Sequence, residues 1–159
     1  MDRRPEEAMI YDDVQSLINA LHESMDENTG IIEVDAGVTK KNNYKYICAI
    51  RKINAGTLDI PKIHYALNMN VRAGDKDYFI NGDYMEEGTT GIRDSAVYAY
   101  LYSRGIIDNM KAWVKDQYDE NYEKGLRMNI SERKEFDELF PNHPLTVLRK
   151  YVVWVIESN

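Results

Sequence analysis

The sequence predicts an α+β fold: a single domain with an antiparallel sheet of about four strands, packed against an N-terminal helix and C-terminal helices. The strongest observation is the segment from Lys62 to Arg72, where apolar and polar residues alternate as in a strand with one buried face. Apolar residues also recur at helical spacing near the N-terminus and in the C-terminal half. Turn-length connections between the predicted strands favour an antiparallel meander.

Length and composition indicate one globular domain. A chain of 159 residues can bury about 70% of its unfolded surface, which is enough for a core without disulfides or metal ions. With 43% hydrophobic and 30% charged residues, the chain differs from disordered and fibrous proteins. There is no internal repeat and no shift in composition, so residues 1–159 are predicted to form a single domain.

Charge and cysteine content restrict the classes of partner. The 20 Lys and Arg residues and 27 Asp and Glu residues give a net charge of −7, which disfavours binding to nucleic acid or to an anionic membrane surface. No apolar segment approaches the roughly 20 residues of a membrane-spanning helix, and the N-terminus lacks a signal-peptide core. The single cysteine, Cys48, excludes an internal disulfide, so we expect a cytoplasmic protein.

The first predicted element is an amphipathic helix of about five turns. Pro5 suits its first turn, where Glu6 and Glu7 favour the positive end of the helix dipole. Its apolar face comprises Val14, Leu17, Ile18, Leu21 and Met25. Gly30 can adopt the left-handed conformation that ends a helix, so we expect the helix to end near Asn28.

Five segments have the residue preferences of strands. They are residues 31–34, 44–53, 62–72, 78–80 and 83–85. The predicted core face of the third comprises Ile63, Tyr65, Leu67, Met69 and Val71. Residues 73–77 have turn composition, and Asn81-Gly82 is predicted to form a hairpin turn of type I′, in which both central residues need positive φ. We expect all helices to pack against the apolar face of this sheet.

The C-terminal half is predicted to be helical. Residues 94–104 fit a helix or, because tyrosines alternate with apolar residues, a strand; we favour the helix, with Thr90 as its cap. The spacing of apolar residues from Ile106 to Tyr122 predicts a long helix, which Gly125 ends.

Two further helices are predicted at the C-terminal end. Ser131 is expected to cap a short helix that ends at Pro141. Residues 145–156 fit either a helix or a buried β-branched strand. We favour the helix because a proline stands at its start and its length of twelve residues suits a helix.

The polar face of the strand from Lys62 to Arg72 is the first candidate for a site. Its residues include His64, Asn68, Asn70 and Arg72. A small hydrolase or transferase could use His64 as a base and Arg72 to position an anionic substrate. The solvated face of an antiparallel sheet gives the same pattern without catalysis.

No other pattern indicates a metal or cofactor site. His22 precedes Asp26 by one helical turn, which favours a surface ion pair, and His143 fits a helix start. There is no His-x-x-x-His pair, no calcium-loop spacing of carboxylates and no glycine-rich phosphate loop, so we predict neither metal nor cofactor. Cys48 lies among apolar residues and is expected to be a buried, inert thiol.

Twelve tyrosines are the unusual feature of the composition. Tyrosine is enriched in protein interfaces because it combines a large apolar ring with a polar hydroxyl. The predicted binding residues are Tyr98, Tyr100 and Tyr118, together with Asn68 and Asn70 of the sheet. Half-buried positions in the fold are the alternative explanation for the tyrosines.

These observations lead to one main functional hypothesis and two alternatives. The order of elements and the acidic isoelectric point resemble those of secretion chaperones and toxin-immunity proteins. We expect a non-enzymatic protein that binds another protein through a tyrosine-rich surface, as an inhibitor, an immunity-like protein or a chaperone. The enzyme that uses His64 and Arg72 is the second hypothesis, and a homo-oligomeric structural component is the third.

Overall fold

A computed structural model of the chain describes residues 11–159. The helices are α1 (Val14–Ser24), α2 (Ile92–Ser103), α3 (Met110–Trp113) and α4 (Pro144–Ser158). The strands are β1 (Thr29–Val38), β2 (Lys45–Asn54), β3 (Ile63–Ala73) and β4 (Lys76–Met85). Two 3₁₀ segments, Ile130–Glu132 and Lys134–Leu139, precede α4. The sheet, the N-terminal helix and the C-terminal helices confirm the predicted α+β fold.

The four strands form one antiparallel sheet in the order β1-β2-β3-β4. The face of β3 that was expected to be apolar is buried, because Leu67 and Met69 are 1% and 0% exposed. α4 packs against this face through Leu145, Leu148, Val152 and Val155. The helix favoured for residues 145–156 is therefore confirmed, and Pro144 occupies its first turn, where its missing N–H costs nothing.

α1 packs against the opposite face of the sheet, so the expectation that all helices share one face is wrong. Its buried residues are Leu17, Ile18 and Leu21. They form a second core with Ile31, Val34, Ile47 and Ala49 of β1 and β2. This face of the sheet is therefore apolar where α1 covers β1 and β2, and it carries mainly polar side chains over β3 and β4.

α1 is shorter at its C-terminal end than expected. It begins after Asp13, whose carboxylate accepts a hydrogen bond from a backbone amide of the first turn, and it ends at Ser24 rather than near Asn28. Gly30, which was predicted to end the helix, belongs to β1. The predicted first-turn residues Pro5, Glu6 and Glu7 lie outside the described part of the chain.

The hairpin between β3 and β4 turns at Gly74 and Asp75, so the predicted turn at Asn81-Gly82 is wrong. Gly74 has a φ of 68°, as the first central residue of a type II′ turn requires. Asn81 lies within β4, where its side-chain oxygen accepts a hydrogen bond of 2.8 Å from Asn68 of β3. The two short strands predicted on either side of Asn81-Gly82 are one strand of 10 residues.

α2 confirms the helix favoured for residues 94–104, although its N-cap is Gly91 rather than Thr90. The short helix predicted to start at Ser131 consists of the two 3₁₀ segments. Asn129, rather than Ser131, caps the first of these segments. Asn129 and Glu132, the third residue of the segment, form a reciprocal capping box.

The long helix predicted from Ile106 to Tyr122 is wrong, because only the four residues of α3 are helical there. Asp116 explains why the helix does not continue. Its carboxylate accepts hydrogen bonds from the backbone amides of Tyr118 and Asp119, and these local bonds compete with helical ones. The chain after α3 is then free to cross the outer edge of β1.

Candidate functional site

The polar face predicted on β3 is present, and its side chains bind one another across β3 and β4. The Nδ1 atom of His64 lies 2.9 Å from a carboxylate oxygen of Asp83. The guanidinium group of Arg72 donates two hydrogen bonds to Asp77. Such cross-strand pairs stabilise a solvated antiparallel sheet, which is the alternative explanation for the pattern.

The two residues of the enzyme hypothesis, His64 and Arg72, lie far apart. His64 and Arg72 lie eight residues apart on one strand, or about 27 Å at the usual rise per residue. They cannot contact the same small substrate. Between them, Asn68 binds Asn81, and Asn70 is only 7% exposed. The enzyme hypothesis stays a prediction, without a site that unites its base and its cation.

The three tyrosines predicted to bind a partner have different surroundings. Tyr100 is exposed on α2, whereas Tyr98 is half-buried on the same helix and stacks on Tyr102. The hydroxyl of Tyr118 is bonded to the backbone of Val34 in β1. Of these three tyrosines, Tyr100 is exposed, whereas Tyr98 and Tyr118 are half-buried.

A buried group of charged residues, which was not predicted, connects the C-terminal half to the sheet. The carboxylate of Glu132 is fully buried and lies 2.8 Å from the Nζ atom of Lys52 in β2. Arg93 of α2 and Arg149 of α4 both form ion pairs with Asp137. Because these groups are buried and paired with one another, their arrangement supports a structural role rather than binding.

A groove of about 590 Å³ lies between α4 and β1. Its apolar wall includes Val152 and Ile156, and at its charged end the carboxylate of Glu33 is bound to Lys134 and Arg149. No histidine lines this groove, and its Glu33 carboxylate is held by two cations. The groove therefore adds no support for catalysis.

Cys48 is an inert thiol, as expected. It is 2% exposed, and burial raises its pKa to about 12, so the thiol is protonated at neutral pH. Within residues 11–159, no group of three His, Cys, Asp or Glu side chains is arranged to hold a metal ion. None of the helices in that range has the length and hydrophobicity needed to cross a bilayer.

The outer edge of β1 is covered by the chain segment 114–129. The hydroxyl of Tyr118 accepts a hydrogen bond of 2.6 Å from the backbone N–H of Val34 and lies 3.3 Å from the carbonyl oxygen of the same residue. A Cβ atom on Gly30 would lie 1.8 Å from the carbonyl oxygen of Leu126, so glycine permits this close approach. The segment therefore occupies the outer edge of β1 between Thr29 and Val34.

The outer edge of β4, in contrast, is open within the described part of the chain. The backbone groups of β4 form no hydrogen bond with any described element except β3. The residues on its face opposite to α4 are Asp77, Phe79, Asn81, Asp83 and Met85, and all of them are exposed. An edge strand of 10 residues with no cover is a template for pairing with another chain.

β4 and α4 each contribute two aromatic residues on the side of the sheet that α4 covers, and Trp154 lies on the outer side of its helix. Tyr78 and Tyr84 belong to β4, and Tyr151 of α4 packs with Tyr84 at the margin of the core. Trp154 stacks on Tyr151 with ring centroids 5.8 Å apart. Tyr78 and Trp154 are 53% and 59% exposed. We refer to these four residues as the β4–α4 aromatic surface.

The segment around β4 is acidic. Its carboxylates are Asp75, Asp77, Asp83, Glu86 and Glu87. Lys76 is the one cation in residues 75–87, so the segment has a net charge of −4. The hydrogen bond from Arg72, followed by that from Tyr11, lowers the pKa of Asp77 to about 2. Arg72 offsets the charge of Asp77, and the remaining carboxylates give the open edge a net negative charge.

One feature of the sequence indicates the aromatic surface. Trp154 and Val147 lie on the side of α4 opposite to its buried residues, and both are exposed. A large aromatic residue on the polar side of an amphipathic helix is a reason to expect an interface.

The chain matches no protein-family model, no curated protein and no solved structure.

Proposed function

We propose that this chain is a non-enzymatic protein that binds another protein through the β4–α4 aromatic surface. The observation that carries the proposal is the exposed stack of Trp154 on Tyr151, in a helix that packs against a sheet whose β4 edge is open among residues 11–159. Tryptophan and tyrosine dominate the binding energy of many protein interfaces. The proposal keeps the predicted class of function and moves the tyrosine-rich surface from α2 to β4 and α4.

A protein of this kind acts by covering a surface of its partner. Neither an inhibitor nor a chaperone needs a catalytic group, and either activity is compatible with a stable scaffold that exposes aromatic side chains. We also propose a cytoplasmic location, which the protonated and buried thiol of Cys48 supports, because an unpaired cysteine persists in a reducing compartment.

Affinity capture from a lysate of the source cells, followed by titration of the purified partner, tests the proposed function. Trp154→Ala should weaken binding by about 30-fold, the effect typical of an interface hot spot. Tyr102→Ala is the matched control, because Tyr102 is an aromatic residue of α2 that is 58% exposed, close to the 59% of Trp154. Absence of a partner, or equal affinity of the wild type and Trp154→Ala, would contradict the proposal.

A further inference from the structure

We infer that the partner contributes an extended segment that adds to β4 as a fifth strand, and that this segment alternates apolar and basic side chains. The inference rests on the proposed function, because it specifies how the partner reaches the β4–α4 aromatic surface. Strand addition obtains its affinity from main-chain hydrogen bonds and its specificity from alternate side chains.

The register of the β3–β4 hairpin identifies the backbone groups that are available. Ala73 and Lys76 flank the turn and form its closing pair, so they exchange both backbone hydrogen bonds. Bonded and non-bonded pairs then alternate along an antiparallel ladder. The outward N–H and C=O groups of β4 consequently belong to Asp77, Phe79, Asn81, Asp83 and Met85. These five residues provide a regular row of donors and acceptors without a bulge or a proline.

The two faces of β4 determine the chemistry of the added segment. Side chains of the segment that point towards α4 would lie beside Tyr78 and Tyr84 of β4, and an apolar residue suits that surface. Side chains on the other face would approach Asp83, whose carboxylate is 62% exposed. A lysine or arginine suits that position, so apolar and basic residues should alternate.

Charge also distinguishes this partner from a second copy of the chain. Residues 72–87, which include Arg72 paired with Asp77, have a net charge of −3, which attracts a basic segment. Pairing of β4 with β4 of another copy would instead bring two such segments together, and like charges placed opposite each other destabilise a sheet. We therefore assign the edge to a basic segment of a different protein.

A selection with a display library of random peptides of about twelve residues, carried out on the full chain, tests this assignment. Enriched peptides should alternate apolar residues with Lys or Arg and should lack proline. An enriched peptide is then N-methylated at every second backbone amide, in two versions that differ by one residue. The version that methylates the amides facing β4 should bind about tenfold more weakly or worse, and the other version should lose much less affinity. Failure to enrich peptides, enrichment without alternation, or equal effects in both versions would overturn the inference.

A pair of variants at one position separates backbone pairing from side-chain contact. Asn81→Pro removes an outward N–H that the β3 ladder does not use, whereas Asn81→Ala keeps that N–H and removes the same side chain. Binding of the peptide should be lost in Asn81→Pro and retained in Asn81→Ala, with far-UV circular dichroism to verify folding. If Asn81→Pro binds like Asn81→Ala while Trp154→Ala fails to bind, strand addition is wrong but the proposed function stands. If Trp154→Ala also binds normally, both are wrong.

Discussion

The hydroxyl oxygen of Tyr118 lies 2.6 Å from the backbone nitrogen of Val34 and 3.3 Å from its carbonyl oxygen. One side chain thus contacts the two backbone groups that a neighbouring strand would otherwise use. This contact covers one edge of the sheet, whereas the opposite edge, β4, has no such cover among residues 11–159. The sheet is therefore asymmetric, with one edge covered and the other open among the described residues.

Replacement of Tyr118 by Phe should destabilise the protein by about 1–3 kcal/mol, because the backbone groups of Val34 lose their partner in a partly buried position. Urea unfolding monitored by circular dichroism measures this change. Tyr102→Phe, at an exposed tyrosine of α2, is the control and should change the free energy of unfolding by less than about 0.5 kcal/mol. Equal stability of Tyr118→Phe and the wild type would show that the edge of β1 does not depend on this hydroxyl.

Glu132→Ala should destabilise the protein by about 3–5 kcal/mol, since it leaves the ammonium group of Lys52 buried without its partner. The variant also removes the acceptor of the hydrogen bond from Tyr65. Glu120→Ala removes one partner of an exposed ion pair with Lys115 and should cost less than about 1 kcal/mol. Similar losses for the two variants, measured by urea unfolding, would contradict the structural role of the buried group.

His143 should make the protein less stable as the pH decreases from neutral. Burial, followed by the charge of Arg93, lowers the pKa of His143 to about 4 from its usual 6.5. Between these values the unfolded chain binds a proton that the folded protein does not bind. The free energy of unfolding therefore decreases as the pH falls from about 6.5 to 4.

The variant His143→Asn isolates this contribution. Asparagine can still accept the hydrogen bond that His143 accepts from the backbone N–H of Leu145 at the start of α4, and it does not titrate. Chemical unfolding at pH 7 and at pH 5 should show a smaller loss of stability for His143→Asn than for the wild type. If both proteins lose the same free energy between these pH values, His143 is not a neutral, buried group in the folded protein.

The elements that depend on local pattern could be predicted from the sequence. Apolar and polar side chains alternate along β3 because one face of the strand packs against α4. α4 has an apolar stripe because it covers that face. The helical alternative was favoured for residues 94–104 and, on its length and the proline at its start, for residues 145–156; both are confirmed. Such features follow from the periodicity of side chains, which is a local property.

The errors arose where a distant contact overrides a local preference. Asn81-Gly82 has the composition of a hairpin turn, but Gly74 closes the hairpin first and Asn81 binds Asn68 across the strands. The apolar spacing after Ile106 resembles a helix, but its Tyr118 contacts the edge of β1 instead. No pattern in the sequence places these groups beside each other.

The candidate site could be predicted only as a class of residues. The excess of tyrosine and the polar face of β3 were visible in the sequence. The cover over β1, and the lack of cover over β4 among residues 11–159, are properties of the assembled sheet. The surroundings of Arg93 could not be predicted from the sequence either. It occupies the buried side of α2 with Val97 and Leu101, because its partners come from the distant segment 131–146.

Residue-resolved hydrogen exchange of the free protein, measured by NMR, tests the open edge of β4 most directly. The amides that point outward should exchange close to the rate of an unfolded peptide; they are Asp77, Phe79, Asn81, Asp83 and Met85. The amides bonded to β3 should exchange much more slowly; they are Tyr78, Ile80, Gly82 and Tyr84. Equal protection of both sets in the monomer would show that the edge is already covered and would contradict the account.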